Sequence, residues 1–247
     1  MKYITSIWTT ITLCILLLGI RVLDPSLVEQ TRLNSFDQYI QSLPDKESDV
    51  VLLSLGEETL AVYGQYPFPR QTYAQLISDL RNANAGMIAF TLMFPEADRF
   101  GGDEVFISWV KDNGIILAQD ASSRGRSDTA PYVGTATLGA GDAYDFVPKY
   151  KGLVTNIKAL EEVAWGVGLI NAGVEVDNIT RRIPLLSQIN GQLYPAMPLE
   201  IIRVIQDKPS YSLKADLDGI KDVMIPPYDP IKTDYNSSIW LNTNYTH

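Results

Sequence analysis

The stretch from Asp49 to Phe94 decides the fold, and it reads DVVLLSLGEETLAVYGQYPFPRQTYAQLISDLRNANAGMIAFTLMF. It opens with one apolar run, Val50–Leu55, and closes with a second, Met87–Phe94. Between the runs, four apolar residues recur at the i, i+3, i+4 and i+7 spacing of an amphipathic helix, namely Tyr73, Leu76, Ile77 and Leu80. Gly86 follows as a stop signal. Because a crossover of this length joins parallel neighbours, the stretch predicts a βαβ unit.

The composition restricts the classes of function. The chain has 247 residues, 46% of them hydrophobic, which is enough for a real core. A net charge of −9 opposes attraction to phosphate backbones, so we expect no nucleic-acid partner. The single cysteine, Cys14, and the single histidine, His247, exclude disulfide frameworks, Cys/His zinc sites and histidine-based catalytic triads. We expect neither a metal nor a cofactor.

The N-terminal segment is the most apolar part of the chain. Ile4–Ile20 contains no charged residue and lies between Lys2 and Arg21. With its neighbours it reaches the roughly 20 residues of a spanning helix. We therefore predict a transmembrane anchor over residues 1–23 that contacts the membrane through residues 4–23; a cleaved signal peptide and a buried helix are the alternatives. The short N-terminus favours a position of the following domain outside the cytoplasm, whereas the distribution of positive charge does not.

Residues 24–247 are predicted to form one extracytoplasmic domain. The fold class is α/β, with βαβ units, a mostly parallel central sheet that includes Ile115–Ala118, and a β-hairpin addition. The hairpin is predicted at Asn190-Gly191, the signature of a two-residue type I′ turn. A helix predicted over Asp24–Ile40 would be the natural contact of a homodimer. The glycines between Gln119 and Lys151 indicate a phosphate loop or, alternatively, a long surface excursion.

Two polar stretches are candidates for chemistry. The first is the loop after the second apolar run, which carries four carboxylates: Glu96, Asp98, Asp103 and Glu104. Ligands of open parallel sheets bind beyond the carboxyl ends of strands, so this loop is either a cation or ligand site or a solvated loop with Asp103 as the N-cap of the next helix. The second is the pair Arg181-Arg182 near Asp177, which is either a bidentate clamp for an anion or a salt-bridged turn.

Several motifs together resemble one family. In chain order they are Phe36-Asp37, Gly64-Gln65-Tyr66-Pro67-Phe68-Pro69-Arg70, Asp103-Glu104, Asp177-Asn178-Ile179-Thr180-Arg181-Arg182-Ile183-Pro184-Leu185 and Leu193-Tyr194-Pro195-Ala196-Met197. The chain resembles the CHASE domain of the second type, the cyclase- and histidine-kinase-associated sensory extracellular domain, over about Arg21 to Leu241. The most specific motif is the Pro-x-Pro-Arg turn, here after Tyr66 where the family usually has tryptophan.

The resemblance implies a non-enzymatic input domain of a bacterial signalling receptor. Such a domain is held by the inner membrane with its body outside, senses a small molecule, and is coupled to a cyclase, histidine kinase or Ser/Thr kinase output domain. This sequence departs from the family at Phe90-Thr91-Leu92, where an aspartate is often found, and lacks the further spans, so we expect a domain incomplete at its C-terminus. Polar contacts to ligand are predicted for Arg70, Asp103, Arg181 and Arg182. A membrane-anchored hydrolase using the loop carboxylates, or a structural dimerisation module, is the alternative.

Overall fold

The computed structural model describes residues 7–23, 25–44, 49–124, 134–208 and 210–242. Within these ranges, the helices are α1 (Ile7–Leu23), α2 (Ser26–Gln41), α3 (Glu57–Tyr63), α4 (Arg70–Asn82), α5 (Asp103–Asp112), α6 (Lys158–Glu161) and α7 (Met197–Ile205). The strands are β1 (Ile88–Phe90), β2 (Ile115–Ser122), β3 (Thr135–Leu138), β4 (Lys149–Tyr150), β5 (Gly152–Val154), β6 (Gly166–Leu169), β7 (Arg182–Pro184), β8 (Leu186–Ile189), β9 (Gln192–Pro195), β10 (Tyr211–Asp216), β11 (Gly219–Met224), β12 (Ile231–Lys232) and β13 (Ser238–Trp240).

The chain divides into two units. The terminal unit comprises Met1–Val51, Val174–Arg181 and Leu241–His247, and the main unit comprises Leu52–Gly173 and Arg182–Trp240. The terminal unit holds α1 and α2; the main unit holds the other helices and the strands that the structure describes. The division predicted at residue 23 coincides with the end of α1 and, as a domain boundary, stays a prediction.

The α/β class is confirmed, and the prediction of a mostly parallel central sheet is confirmed only for the sheet of β1, β2, β5 and β6, because the strands are divided among several sheets, most of them mixed. Strands β1, β2 and β6 are parallel, and the second half of β2 pairs antiparallel with β5. Three further sheets are separate from it: β12-β11-β10-β3, β4-β8-β9 and the pair β13-β7. Short returns such as the β8–β9 and β10–β11 hairpins bring strands back antiparallel, which a periodicity analysis of single segments does not reveal.

The structure confirms the predicted helix of the βαβ unit, but the prediction of the first strand of that unit is wrong. Helix α4 buries Tyr73, Ala74 and Ile77 against β1, β2 and α5. Val51–Leu55 forms no strand, and Leu52 is 84% exposed. Strand β1 takes β2 as its parallel neighbour, with Ile88 opposite Ile115. An apolar run becomes a buried strand only where a ladder partner and covering layers exist, and composition alone does not supply them.

Two turns near these elements show how the chain reverses. The stop after α4 uses Asn84 at φ 65° and not Gly86, because asparagine also tolerates the left-handed region. The β8–β9 hairpin is confirmed: Asn190 and Gly191 have φ 51° and 81°, as a type I′ turn requires.

Two large hydrophobic clusters and a smaller third one pack the main unit. The first packs α4 and α5 onto β1 and β2 and contains the edge-to-face aromatic group Tyr73, Phe90, Phe94 and Phe106. The second packs α7 with strands β8 to β11 around Tyr211, which is 1% exposed. Helix α7 approaches β6 closely, because an added Cβ on Gly168 would lie 2.5 Å from the Cα of Met197.

The N-terminal helices were tested for membrane-span length. Among the described residues, no single helix is long and apolar enough, whereas α1 and α2 satisfy the length and hydropathy requirements together, with a bend of 80° between them. All described side chains of α1 are at least partly exposed, and Leu16, Leu17 and Leu18 are each more than half exposed.

Candidate functional site

Arg70 is the first residue of α4, and the turn before it places its side chain. Pro67 and Pro69 have fixed φ angles, so the backbone enters the helix extended; Pro69 is the N-cap, with φ −55° and ψ 148°. Arg70 is 7% exposed, and its guanidinium carbon lies 4.4 Å from the centre of the Phe94 ring. The cation therefore makes a cation–π contact with the aromatic group of the main unit.

The loop that follows β1 binds the guanidinium of Arg70. Nη2 of Arg70 donates to the carbonyl oxygen of Glu96 at 2.9 Å, and Nε of Arg70 lies 3.3 Å from Oδ1 of Asp103. Asp103 is the first residue of α5, so the ion pair joins the first turns of two helices. The structure thus brings together two of the predicted site residues, Arg70 and Asp103, and their binding of a ligand stays a prediction.

Asp98 organises the same loop through backbone amides. Its Oδ2 accepts from the N–H groups of Arg70 and Gly102 at 3.0 and 3.1 Å, and its Oδ1 accepts from Phe100. Desolvation alone would raise the pKa of Asp98, but these backbone donors and the charge of Arg70 outweigh it and hold the pKa below the ordinary value. Asp98 is therefore a carboxylate that closes the loop and caps α4.

Asp103 does not act as the predicted N-cap. Gly102 occupies the N-cap position, and Oδ2 of Asp103 accepts from the backbone N–H of Asp98 at 2.8 Å. Glu96 and Glu104 are exposed. In the described ranges, no group of three or more His, Cys, Asp or Glu residues could hold a metal ion. Asp98 and Asp103 thus bind backbone amides of the loop, whereas the side chains of Glu96 and Glu104 face solvent.

Arg181, in the terminal unit, lies between two carboxylates. Its Nε and Nη2 donate to the two oxygens of Asp37 on α2, both at 2.7 Å. Its Nη1 and Nη2 donate to the two oxygens of Asp177 at 2.9 and 2.7 Å. The Arg181 side chain is 3% exposed, against 35% for Asp37 and 23% for Asp177. Both carboxylates bind the guanidinium bidentately. Of the two predicted alternatives, an anion clamp and a salt-bridged turn, the structure therefore contains the salt-bridged turn at Asp177.

The charges of this cluster shift one another's pKa values. The side-chain hydrogen bonds from Arg181 lower the pKa of Asp37 and lower that of Asp177 to about 2. The same bonds raise the pKa of Arg181. All three groups therefore stay charged at neutral pH, and the cluster carries a net charge of −1.

Arg182 belongs to the main unit and has different partners. Its Nη1 lies 3.8 Å from Oδ2 of Asp234, and its guanidinium lies 4.8 Å from the centre of the Trp240 ring across the β7–β13 pair. The side chain is 34% exposed. The described partners of Arg182 therefore differ from those of Arg181, and a ligand role for either arginine stays a prediction.

A comparison with protein families supplies the identity. The CHASE2 domain model matches residues 11–246, which is nearly the whole chain. The chain belongs to the CHASE2 family. CHASE2 is a family of sensory extracellular domains and not of catalytic domains, so the resemblance inferred from the sequence motifs is confirmed. Neither curated proteins nor solved structures gave a match.

The CHASE2 domain also contains polar residues that sequence reasoning missed. Asn156, 4% exposed, accepts from the N–H of Phe94 at 2.8 Å and donates to the carbonyl of Ala118 at 2.9 Å and to Glu161. It thereby joins the segment after β1 and the middle of β2 to the short helix α6. The only sequence signal for Asn156 is one amide side chain within the run Leu-Val-Thr-Asn-Ile.

A second amide lies at the end of β6. Oδ1 of Asn171 accepts from the N–H of Ala121, and its Nδ2 donates to Asp120, both at 2.6 Å. Gln119, next along β2, is fully buried, and neither atom of its amide has a hydrogen-bond partner among the described residues. Polar side chains therefore gather where the parallel part of β2 ends.

Proposed function

We propose that this CHASE2 domain is the extracytoplasmic input domain of a bacterial membrane receptor. It would lie outside the inner membrane, be anchored through residues 4–23, and sense an unidentified small molecule. A cyclase, histidine kinase or Ser/Thr kinase would be its output domain. The single observation that carries the proposal is the family match over residues 11–246, because the family is sensory and extracellular.

The mechanism is a ligand-dependent choice between two arrangements of the domain. A ligand can shift such an equilibrium only by its difference in affinity for the two states. The change would reach the membrane as a small displacement of helices, as in other receptors that use helix shifts. Helix α2 follows the apolar helix α1 directly in the chain, with Pro25 just before its first residue. It is therefore the element through which a displacement would arrive.

The orientation is tested with reporters fused after His247. We expect alkaline phosphatase, which folds only outside the cytoplasm, to be active in the fusion, and a cytoplasm-dependent fluorescent protein to be dark. The reverse pattern would contradict the extracytoplasmic proposal. A variant with Leu16, Leu17 and Leu18 replaced by lysine is the control, because three charges in α1 abolish its insertion.

The output domain is tested by reading the native transcript beyond the His247 codon. An open frame that continues into hydrophobic spans and a cyclase or kinase domain would support the receptor. A stop codon directly after His247 would contradict it for this product and leave an anchored binding or interaction protein.

A contact to an anionic ligand is proposed for Arg182, whose side chain is the most exposed of the predicted site residues. Inorganic phosphate serves as the probe, titrated against chloride at equal ionic strength while the melting temperature is recorded. We expect stabilisation that Arg182→Gln removes and that Lys158→Gln, an 88% exposed cation elsewhere in the main unit, retains. An equal response of the two variants would remove Arg182 from the site.

We also propose a homodimer through α2. One face of this helix lines a shallow groove of about 440 Å³ formed by Leu27, Val28, Thr31, Arg32 and Ser35. In a Cys14→Ser background, Thr31→Cys should give a disulfide-linked dimer in membranes, whereas Gln30→Cys, exposed but outside the groove, should not. Equal crosslinking at both positions would indicate random collision and contradict this interface.

A further inference from the structure

Arg181 connects separate stretches of the terminal unit. Its side chain binds Asp37 on α2 and Asp177 in its own segment, and its carbonyl oxygen accepts from the N–H of Leu241 at 2.8 Å. Asp37 lies 144 residues before Arg181, and Leu241 directly follows the last residue of β13. One residue therefore bonds to the helix near the start of the chain and to Leu241 near its end.

The two carboxylates differ in how firmly they are fixed. Asp177 belongs to a tight turn, in which its Oδ1 accepts from the N–H of Ile179 at 3.1 Å and the N–H of Glu175 donates to the carbonyl of Ile179 at 3.0 Å. Asp37 is carried only by α2, and its side chain is 35% exposed. Movement of α2 would therefore take Asp37 away from Arg181 and leave Asp177 where it is.

Losing Asp37 would not leave Arg181 without a counter-ion. A buried charge is costly when its partner departs, because desolvation is then uncompensated. Here Asp177 keeps a bidentate pair with the guanidinium, and the exposed Asp37 carboxylate can be hydrated. With both carboxylates bound the cluster holds one negative charge more than the cation neutralises, and this excess opposes the second pair.

We propose that the Arg181–Asp37 pair is a releasable tie between α2 and the stretch Val174–Arg181, to which Leu241 is hydrogen-bonded. When the pair is made, α2, Val174–Arg181 and Leu241 move together. When it is broken, α2 moves independently and Arg181 remains paired with Asp177. This inference deepens the proposed sensory function and rests on it, since sensing is what gives the tie a displacement to transmit.

Amide hydrogen exchange of the full chain in detergent micelles tests the tie. We expect Asp37→Asn to accelerate exchange of the α2 amides about tenfold or more and to leave the Glu175–Ile179 turn unchanged. Asp177→Asn should accelerate exchange of the turn and leave α2 protected, because Asp37 still binds Arg181. Glu200→Gln is the matched control: it weakens the pair of Arg203 with Glu200 at 2.7 Å in the main unit and should not change α2.

Two results would overturn the tie. One is wild-type exchange of α2 in Asp37→Asn. The other is uniform acceleration that includes Ile115–Ser122, because the pair would then hold the whole fold and not one helix. The measurement needs no ligand and no output domain. Failure of the tie therefore leaves the sensory proposal standing, whereas a cytoplasmic position of His247 contradicts the sensory proposal and leaves the exchange result valid.

Discussion

Replacing Arg70 by methionine tests whether this arginine holds the loop after β1. Methionine keeps the length of the apolar stem and removes the cation. The Glu96 carbonyl loses a charged donor at 2.9 Å, which costs about 1.5–3 kcal/mol. The contact with Phe94 at 4.4 Å adds about 1 kcal/mol, and the pair with the partly exposed Asp103 adds at most about 1 kcal/mol. We therefore expect a loss in the free energy of unfolding of about 2.5–5 kcal/mol.

The assay is thermal and denaturant unfolding of the full chain in detergent. For a chain of this size, 1 kcal/mol corresponds to about 2–4 °C, so the loss corresponds to a fall in melting temperature of about 5–20 °C. The slope of the denaturant transition should be unchanged, since the folded state exposes no more surface.

Arg99→Met is the matched control for this experiment. Arg99 also places its guanidinium on a ring, that of Phe100, at 4.7 Å, but both residues are exposed. We expect a loss below about 1 kcal/mol for this variant. Equal losses for Arg70→Met and Arg99→Met would refute the reasoning, because burial and the Glu96 contact would then contribute nothing.

Three further predictions concern the main unit. Asn156→Ala leaves the Phe94 N–H and the Ala118 carbonyl buried without this partner, so denaturant unfolding should show a loss of about 2–5 kcal/mol. Gly168→Ala places a Cβ 2.5 Å from the Met197 Cα, and the backbone shift should cost about 1–3 kcal/mol by the same measurement. Because the folded pKa of Asp98 is lowered, its stabilisation is complete above the unfolded value of about 3.9 and is lost as pH falls through the folded pKa. The free energy of unfolding, measured between pH 6 and pH 2, should therefore fall more steeply with decreasing pH in the wild type than in Asp98→Asn. Equal pH dependence of the two proteins would contradict this prediction.

The sequence predicted elements whose signals are local. Helix α4 and the β8–β9 hairpin depend on spacing and on turn residues within one segment, and both are present. The family could also be predicted, because its motifs are short and occur in order. Strand pairing could not be predicted equally well. Val51–Leu55 has the composition of a buried strand, but whether it forms one depends on the segments that lie beside it.

The sequence predicted which residue types form the candidate sites, but not all of the residues with which they interact. The sequence identified Arg181 and the nearby Asp177, but the second carboxylate, Asp37, comes from a helix 144 residues earlier. Nothing in spacing or composition relates residues so far apart. Asn156 was missed for the same reason, since its partners are backbone groups of Phe94 and Ala118 in other segments. Long-range hydrogen bonds of this kind become visible only in the folded chain.

The exposure of Val51–Leu55 affects how the protein behaves in concentrated solution. Five consecutive exposed residues without a charge or a proline, outside the helices and strands, can pair with the same segment of another molecule in a cross-β manner. Preparations should therefore gel or precipitate as the concentration rises, independently of the apolar N-terminal helix. Lysine in place of Leu52, whose side chain is 84% exposed, would be the first change for anyone who wishes to crystallise the domain.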